Sequence, residues 1–195
     1  MNFPATPNIT LYDPLADLLG AGDGFFNYTF DDVVKLSGHA CPTVAGAFLM
    51  CIHALQALYG EDTPVRGGVS IMISGTEDYE VNGPISQVFT LLTGAAGNNG
   101  FRGLGGQHVR KGLLSFSENA AGPFRFTRND NQASVTVSYD PSVIPADPKM
   151  MPLLQKINQG AGDDQIRQQF RVLWRDRVVA ILNDAGRQTI EVNQQ

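Results

Sequence analysis

The chain is poor in cysteine, histidine and tryptophan, with two, three and one of them among 195 residues. Cys41 and Cys51 stand in one apolar stretch, and on a single helix their separation is too large for a disulfide. A disulfide framework is therefore not expected. The chain fits a reducing compartment, and we expect a cytoplasmic protein.

Positive charge is scarce as well. Fourteen lysines and arginines stand against nineteen acidic residues, which gives a formal net charge of -5, and the chain contains no basic run. Nucleic acid is therefore not expected as a partner. The N-terminal residues show neither the basic start nor the apolar stretch of a signal peptide, and no uninterrupted apolar run is long enough to span a bilayer. We expect no membrane partner.

Apolar residues make up 43% of the chain and charged residues 17%, a balance typical of a folded globular protein. The long apolar stretch at 42–59 predicts a buried central helix, with Pro42 at its first position and Gly60 just beyond its end. A strand at 67–74 and a second helix at 84–93 are predicted to follow.

A glycine-rich segment then leads into three predicted strands separated by turn residues, as in a meander, at 109–117, 123–128 and 133–139. Two helices close the predicted pattern, ending near Asn158 and Asp184, and the polar tail from Gln188 is expected to fray. The predicted class is α+β, with a helix-strand-helix-three-strand core, a mostly antiparallel sheet and a C-terminal helical hairpin. Its parts are an N-terminal arm at 1–29, the α+β domain at 30–140 and a C-terminal helical extension at 141–195.

The most informative local pattern is Gly38-His39-Ala40-Cys41-Pro42, at the predicted start of the central helix. The positive end of the helix dipole favours the thiolate form of a cysteine in that position. A thiolate and an imidazole this close in sequence can bind a borderline metal such as zinc, or act as a nucleophile and its base.

This pattern, with the apolar helix after it, resembles the His-x-Cys-Pro signature of the formylmethanofuran dehydrogenase E-subunit-like family. Residues 85–94 resemble the second helix of that family, and 105–116 resemble the strand that comes next, so the resemblance covers roughly residues 30–128. It implies the same order of elements, a metal site and a homodimer. The chain is a divergent match, because Thr43 replaces a family glycine and two further family cysteines are missing.

Zinc requires more ligands than one imidazole and one thiolate. The sequence offers His108, at the end of the glycine-rich segment, and Glu77, which opens an acidic run after the strand at 67–74. A site of His39, Cys41, one of these two residues and water would be open, as sites that bind ligands or catalyse reactions are. We therefore predict a protein that binds zinc or another divalent transition metal. Its predicted function is ligand binding or accessory service to a redox or metalloenzyme system.

Two alternatives stay open. One is an enzyme that uses Cys41 as its nucleophile with His39 or His108 as base, for which the helix start is the only support. The other is a non-catalytic module that keeps a cleft for a small molecule around a decayed metal site. In all three cases Cys51 is expected to behave as a core hydrophobe and His53 as a satisfied helix histidine.

Overall fold

The computed structural model describes residues 3, 7–120 and 122–194. Its helices and strands account for nearly all of the predicted elements and add three strands. In chain order they are β1 (Ile9–Tyr12), α1 (Pro14–Leu18), β2 (Phe25–Tyr28), α2 (Phe30–Ser37), α3 (Pro42–Tyr59), β3 (Val69–Ser74), α4 (Asn82–Thr93), β4 (Leu114–Ser117), β5 (Phe124–Arg128), β6 (Ser134–Tyr139), a 3-10 turn (Pro141–Val143), α5 (Met150–Asn158), α6 (Asp164–Asp184) and β7 (Ile190–Gln194).

The main sheet has five strands in the order β4-β3-β5-β6-β7. Only β3 and β4 run parallel, and the other neighbours are antiparallel, so the predicted α+β class with a mostly antiparallel sheet is confirmed. The predicted meander is wrong at its first strand, because β4 pairs with β3 and not with β5. The chain reaches β4 through α4 and the glycine-rich segment, and such a crossover returns a strand parallel to the one before it.

Helix α3 forms the centre of the core, and its predicted bounds are confirmed. Pro42 occupies the first turn and Gly60 the C-terminal cap, and thirteen of its residues are buried. It packs against β5, β6 and β7 and against α2, α4 and α6. Among the described residues it is the one helix long and apolar enough to cross a membrane, but 72% of it is buried inside the fold, which is compatible with a soluble protein.

The N-terminal arm is more ordered than its prolines and glycines indicate. It contains the short helix α1, and β1 and β2 pair as an antiparallel ladder. Asp13 ties this arm to the domain, because its carboxylate accepts from Arg66 at 2.9 Å and from Arg110 at 2.7 Å. Gly67 and Gly94 make room for the Arg110 guanidinium, whose Nη1 is buried without a hydrogen-bond partner among the described residues.

The C-terminal segment contains the two predicted helices, α5 and α6, which pack against each other. The expectation of a frayed tail is wrong, because β7 pairs with β6 along its length. Ile190 and Val192 pack onto the core, and the buried Asp184 accepts hydrogen bonds from the backbone and hydroxyl of Thr189 just before the strand. The segment at 141–195 therefore supplies a strand of the main sheet as well as its helices.

Candidate functional site

A cleft of about 790 Å³ opens at one end of the main sheet. β3, β4 and β6 end there, β5 begins there, and α3 and α4 both start there. Thr43 lines the cleft from α3, the stretch at 74–76 from the end of β3, Asn82 and Ile85 from α4, and Tyr139 from β6. The His-x-Cys-Pro pattern lies at this same end, because Cys41 is the N-cap residue of α3.

The backbone around Cys41 is held from both sides. The indole nitrogen of Trp174 donates to the carbonyl of Ala40 at 2.8 Å, and the hydroxyl of Tyr139 donates to the carbonyl of Pro42 at 2.9 Å. Cys41 is half-buried, and its thiol makes no capping hydrogen bond with α3. The backbone position of Cys41 is therefore fixed, and its side chain packs against the edge of the hydrophobic core.

His39 is exposed and follows Gly38, which ends α2 in the left-handed conformation. Its Nδ1 lies 2.9 Å from the carbonyl oxygen of Ser37. A carbonyl can only accept, so Nδ1 must carry the proton of this bond, and in the neutral ring Nε2 then presents a lone pair. Metal-binding histidines commonly use one ring nitrogen in this way, because the second bond orients the ring and sets its tautomer.

The two further predicted ligands lie elsewhere. Glu77 is exposed and lines a second cleft, of about 1340 Å³, beside α4 and the glycine-rich segment. His108 lies on that segment, half-buried and with a φ of 56°. Within the part of the chain that the structure describes, no three or more His, Cys, Asp or Glu residues are grouped as a metal site. Of the predicted ligands, His39 and Cys41 alone are neighbours in sequence, two residues apart, and no hydrogen bond joins their side chains among the described residues.

Asn82 and Tyr139 were not predicted as site residues. Asn82 is only 6% exposed, and its Nδ2 donates to the carbonyls of Ser74 and Thr76 at 2.8 and 2.9 Å. One signal was available for it, since Asn82 stands near the place where the resembled family carries a cysteine. Tyr139 gave no such signal, because it reaches the site only through the pairing of β6.

Tyr139 packs its ring on Gly46, where any Cβ would collide with it. Burial raises the pKa of Tyr139, with Arg177 opposing the shift and Cys41 adding to it. The phenol therefore stays neutral and keeps donating to Pro42 at ordinary pH.

The predictions for the other cysteine and histidine of α3 are confirmed. Cys51 is fully buried, and burial raises the pKa of its thiol, as expected of a small core hydrophobe. His53 has its Nε2 2.8 Å from the carbonyl oxygen of Ala185, which closes α6. Neither residue faces the cleft.

No family model and no curated protein matches the chain. The resemblance to the formylmethanofuran dehydrogenase family therefore stays a prediction, carried by the motif and the order of elements.

Proposed function

We propose that this protein binds a divalent transition metal, zinc in the first instance, through Nε2 of His39 and Sγ of Cys41 at the start of α3. The observation that carries the proposal is the 2.9 Å contact between Nδ1 of His39 and the Ser37 carbonyl. Among the described residues it leaves Nε2 without a hydrogen-bond partner, two residues in sequence from a cysteine whose thiol does not cap its helix. The resemblance to the formylmethanofuran dehydrogenase family supports the same pair of ligands.

Two protein ligands leave a tetrahedral metal with open positions, which water, a small molecule or a second copy of the chain can fill. Such a site suits ligand binding or accessory service to a redox or metalloenzyme system better than a purely structural role. We propose a homodimer in the cytoplasm, where both free cysteines would remain reduced.

The test is metal titration of chelator-treated protein. We expect the parent chain to take up zinc, and cobalt in its place to show the charge-transfer absorption of a cobalt–thiolate bond. A variant with His39→Ala and Cys41→Ser should lose both signals, whereas His108→Ala and Cys51→Ala should keep them. Equal metal uptake by the double variant and the parent would falsify the proposal.

A second candidate is an enzyme with Cys41 as nucleophile, favoured by the position of this half-buried thiol at a helix N-terminus beside the cleft. No hydrogen bond joins Cys41 to His39 or His108 among the described residues, so a base would have to approach on ligand binding. In metal-free protein this candidate requires His39→Ala or His108→Ala to slow alkylation of Cys41 at neutral pH. Unchanged rates in both variants would exclude it.

A further inference from the structure

We propose that the second cleft, of about 1340 Å³ beside α4, binds a small organic carboxylate, a monoanion with an apolar body, through the guanidinium of Arg110. This goes beyond the metal site, because neither His39 nor Cys41 lines this cleft. Three observations support the proposal. They are donors of Arg110 that the fold leaves unpaired, an excess of positive charge around them, and apolar side chains in the same lining.

Arg110 lines the second cleft and is only 7% exposed. Of its guanidinium nitrogens, Nη2 alone has a partner among the described residues, Oδ1 of Asp13 at 2.7 Å. Nη1 is enclosed without any acceptor, whereas Nε, which also donates to no described residue, is not enclosed. An enclosed donor without an acceptor is costly and uncommon in folded proteins. The fold therefore leaves this guanidinium incomplete, with Nε as the donor that a ligand in the cleft would reach first.

Asp13 cannot supply the missing acceptor. Its Oδ1 already accepts two backbone N–H bonds at the start of α1, and its Oδ2 accepts from Arg66 at 2.9 Å. Arg66 in turn is fully used, because its other two guanidinium nitrogens donate to carbonyls at the end of α4. Of the two arginines in the lining, Arg110 is therefore the one with donors to offer a ligand.

The charged residues of the lining lie at opposite ends of α4. A Cβ at Gly94, which caps the end of α4, would lie 2.9 Å from Nη1 of Arg110, so the guanidinium lies beside the last turn of this helix. Glu77 lies at the other end, because its carbonyl oxygen is 3.4 Å from the Cβ position of Gly83 in the first turn. The twelve residues of α4 span roughly 18 Å, so the carboxylate of Glu77 does not neutralise Arg110.

The cluster around Arg110 keeps an excess of positive charge. Arg66 and Arg110 carry two positive charges against the single negative charge of Asp13. The C-terminal end of α4 adds about half a unit of negative charge, which does not remove the excess. One carboxylate comes close to balancing the cluster, whereas a phosphate dianion would leave it negative. Guanidinium also binds carboxylate through charge-assisted hydrogen bonds, which are stronger than those between neutral groups.

The rest of the lining suits an apolar body. Leu15, Leu91 and Phe116 line the second cleft, and so do Leu36 and Phe101, which are 42% and 45% exposed. Exposed apolar side chains beside a few polar groups are typical of sites for small organic ligands. The apolar side chains would hold the body of the ligand while Arg110 holds its carboxylate.

The experiment measures binding to metal-free protein by calorimetry with four ligands that share a phenyl group. They are 3-phenylpropanoate, the neutral 3-phenylpropanol, the cationic 3-phenylpropylammonium and the dianionic 2-phenylethyl phosphate. We expect 3-phenylpropanoate to bind about tenfold or more tightly than the alcohol, and the ammonium to bind most weakly. The phosphate should bind more weakly than the carboxylate, because its second charge has no partner.

Two variants assign this binding to the second cleft. Arg110→Lys keeps a charge opposite Asp13 but loses the planar donors, so 3-phenylpropanoate should bind about tenfold more weakly. Arg102→Lys makes the same change at an exposed position outside the lining and should have no effect. Gln87→Glu adds a negative charge on an exposed residue of the lining and should weaken binding about threefold. Gln56→Glu, exposed on α3, is its control, and this pair decides if Arg110→Lys does not fold.

Preference for the carboxylate that both cleft variants weaken and both controls keep would support the proposal. Equal binding of carboxylate and alcohol, preference for the ammonium or the phosphate, or no saturable binding at all would overturn it. Unchanged carboxylate binding in the folded cleft variants would overturn it as well. The His39→Ala, Cys41→Ser variant should bind 3-phenylpropanoate like the parent. Loss of binding there would assign the carboxylate to the metal site and not to Arg110.

Discussion

The start of α3 and its interior each carry one cysteine and one histidine, but the two pairs have different surroundings. At the start, the Cys41 thiol does not cap the helix, and Nε2 of His39 has no hydrogen-bond partner among the residues that the structure describes. Inside the helix, Cys51 is fully buried in the core and Nε2 of His53 is engaged by the carbonyl that closes α6. The difference teaches that the presence of cysteine and histidine does not by itself make a candidate site, because the fold engages the side chains of one pair and not of the other.

Thiol labelling should give the largest difference between the start of α3 and its interior. In metal-free native protein Cys41 should react with iodoacetamide at least about 100-fold faster than Cys51, because Cys51 reacts only when the core opens. Mass spectrometry of peptides after timed quenching measures both rates in one sample. Equal native rates would mean that the two sulfurs are equally accessible, contrary to the structure, and urea-unfolded protein serves as the control in which the rates should converge.

The two histidines should differ in their contribution to stability. His53→Ala removes the bond to the Ala185 carbonyl and opens a space against Gly186, so we expect a loss of about 2 kcal/mol in the free energy of unfolding. His39→Ala, at an exposed position, should cost less than about 0.5 kcal/mol in metal-free protein. Urea denaturation measures both, and a loss at His39 as large as that at His53 would contradict the contrast between them.

Serine substitutions at the two cysteines should change the free energy of unfolding in opposite directions. Cys51→Ser buries a hydroxyl in an apolar core and should destabilise the metal-free protein by about 1–2 kcal/mol. Cys41→Ser places a favoured capping residue at the N-cap, so the change should lie between zero and about 1 kcal/mol of stabilisation. Thermal and urea unfolding give both values, and destabilisation at both positions would show that Cys41 has a packing role as well.

The smallest expected effect is a pH dependence at the cleft wall. The pKa of Tyr139 is raised in the folded state above the ordinary value of 10.0, so above that pH the unfolded chain releases a proton that the folded chain retains. Stability therefore falls as pH rises through this range, and Tyr139→Phe should lessen the fall by less than about 1 kcal/mol. Tyr79→Phe, at an exposed position, is the control. If both variants change the pH dependence of stability equally, Tyr139 is not its cause.

The parts of the fold that could be predicted are the helices whose ends are marked by a proline or a glycine in the local sequence. Pro42 and Gly60 bound α3, and Gly94 ends α4 in the left-handed conformation, because proline and glycine act within one turn of their own position. β1, β2 and β7 were missed because each is short and gains its stability from a partner strand that the local sequence does not reveal. The parallel pairing of β4 with β3 likewise could not be predicted, because it depends on the crossover connection and not on the residues of β4 itself.

The candidate site divides in the same way. His39 and Cys41 are close in sequence, so their common position at the start of a helix could be predicted. Glu77 and His108 were expected there only because their residue types suit a metal, and the fold places them beside a different cleft or on its neighbouring segment. Asn82 and Tyr139 reach the cleft through tertiary packing, which no local pattern encodes.

The pairing of β6 with β7 has a consequence for the order of assembly. About fifty residues, including α5 and α6, separate the two strands, so β6 must wait for a distant stretch of chain before its outer edge is covered. During synthesis on the ribosome this edge, with Val135 and Val137 along it, emerges well before the strand that shields it. Nascent chains halted between the two strands would therefore be the species most prone to join one another edge to edge.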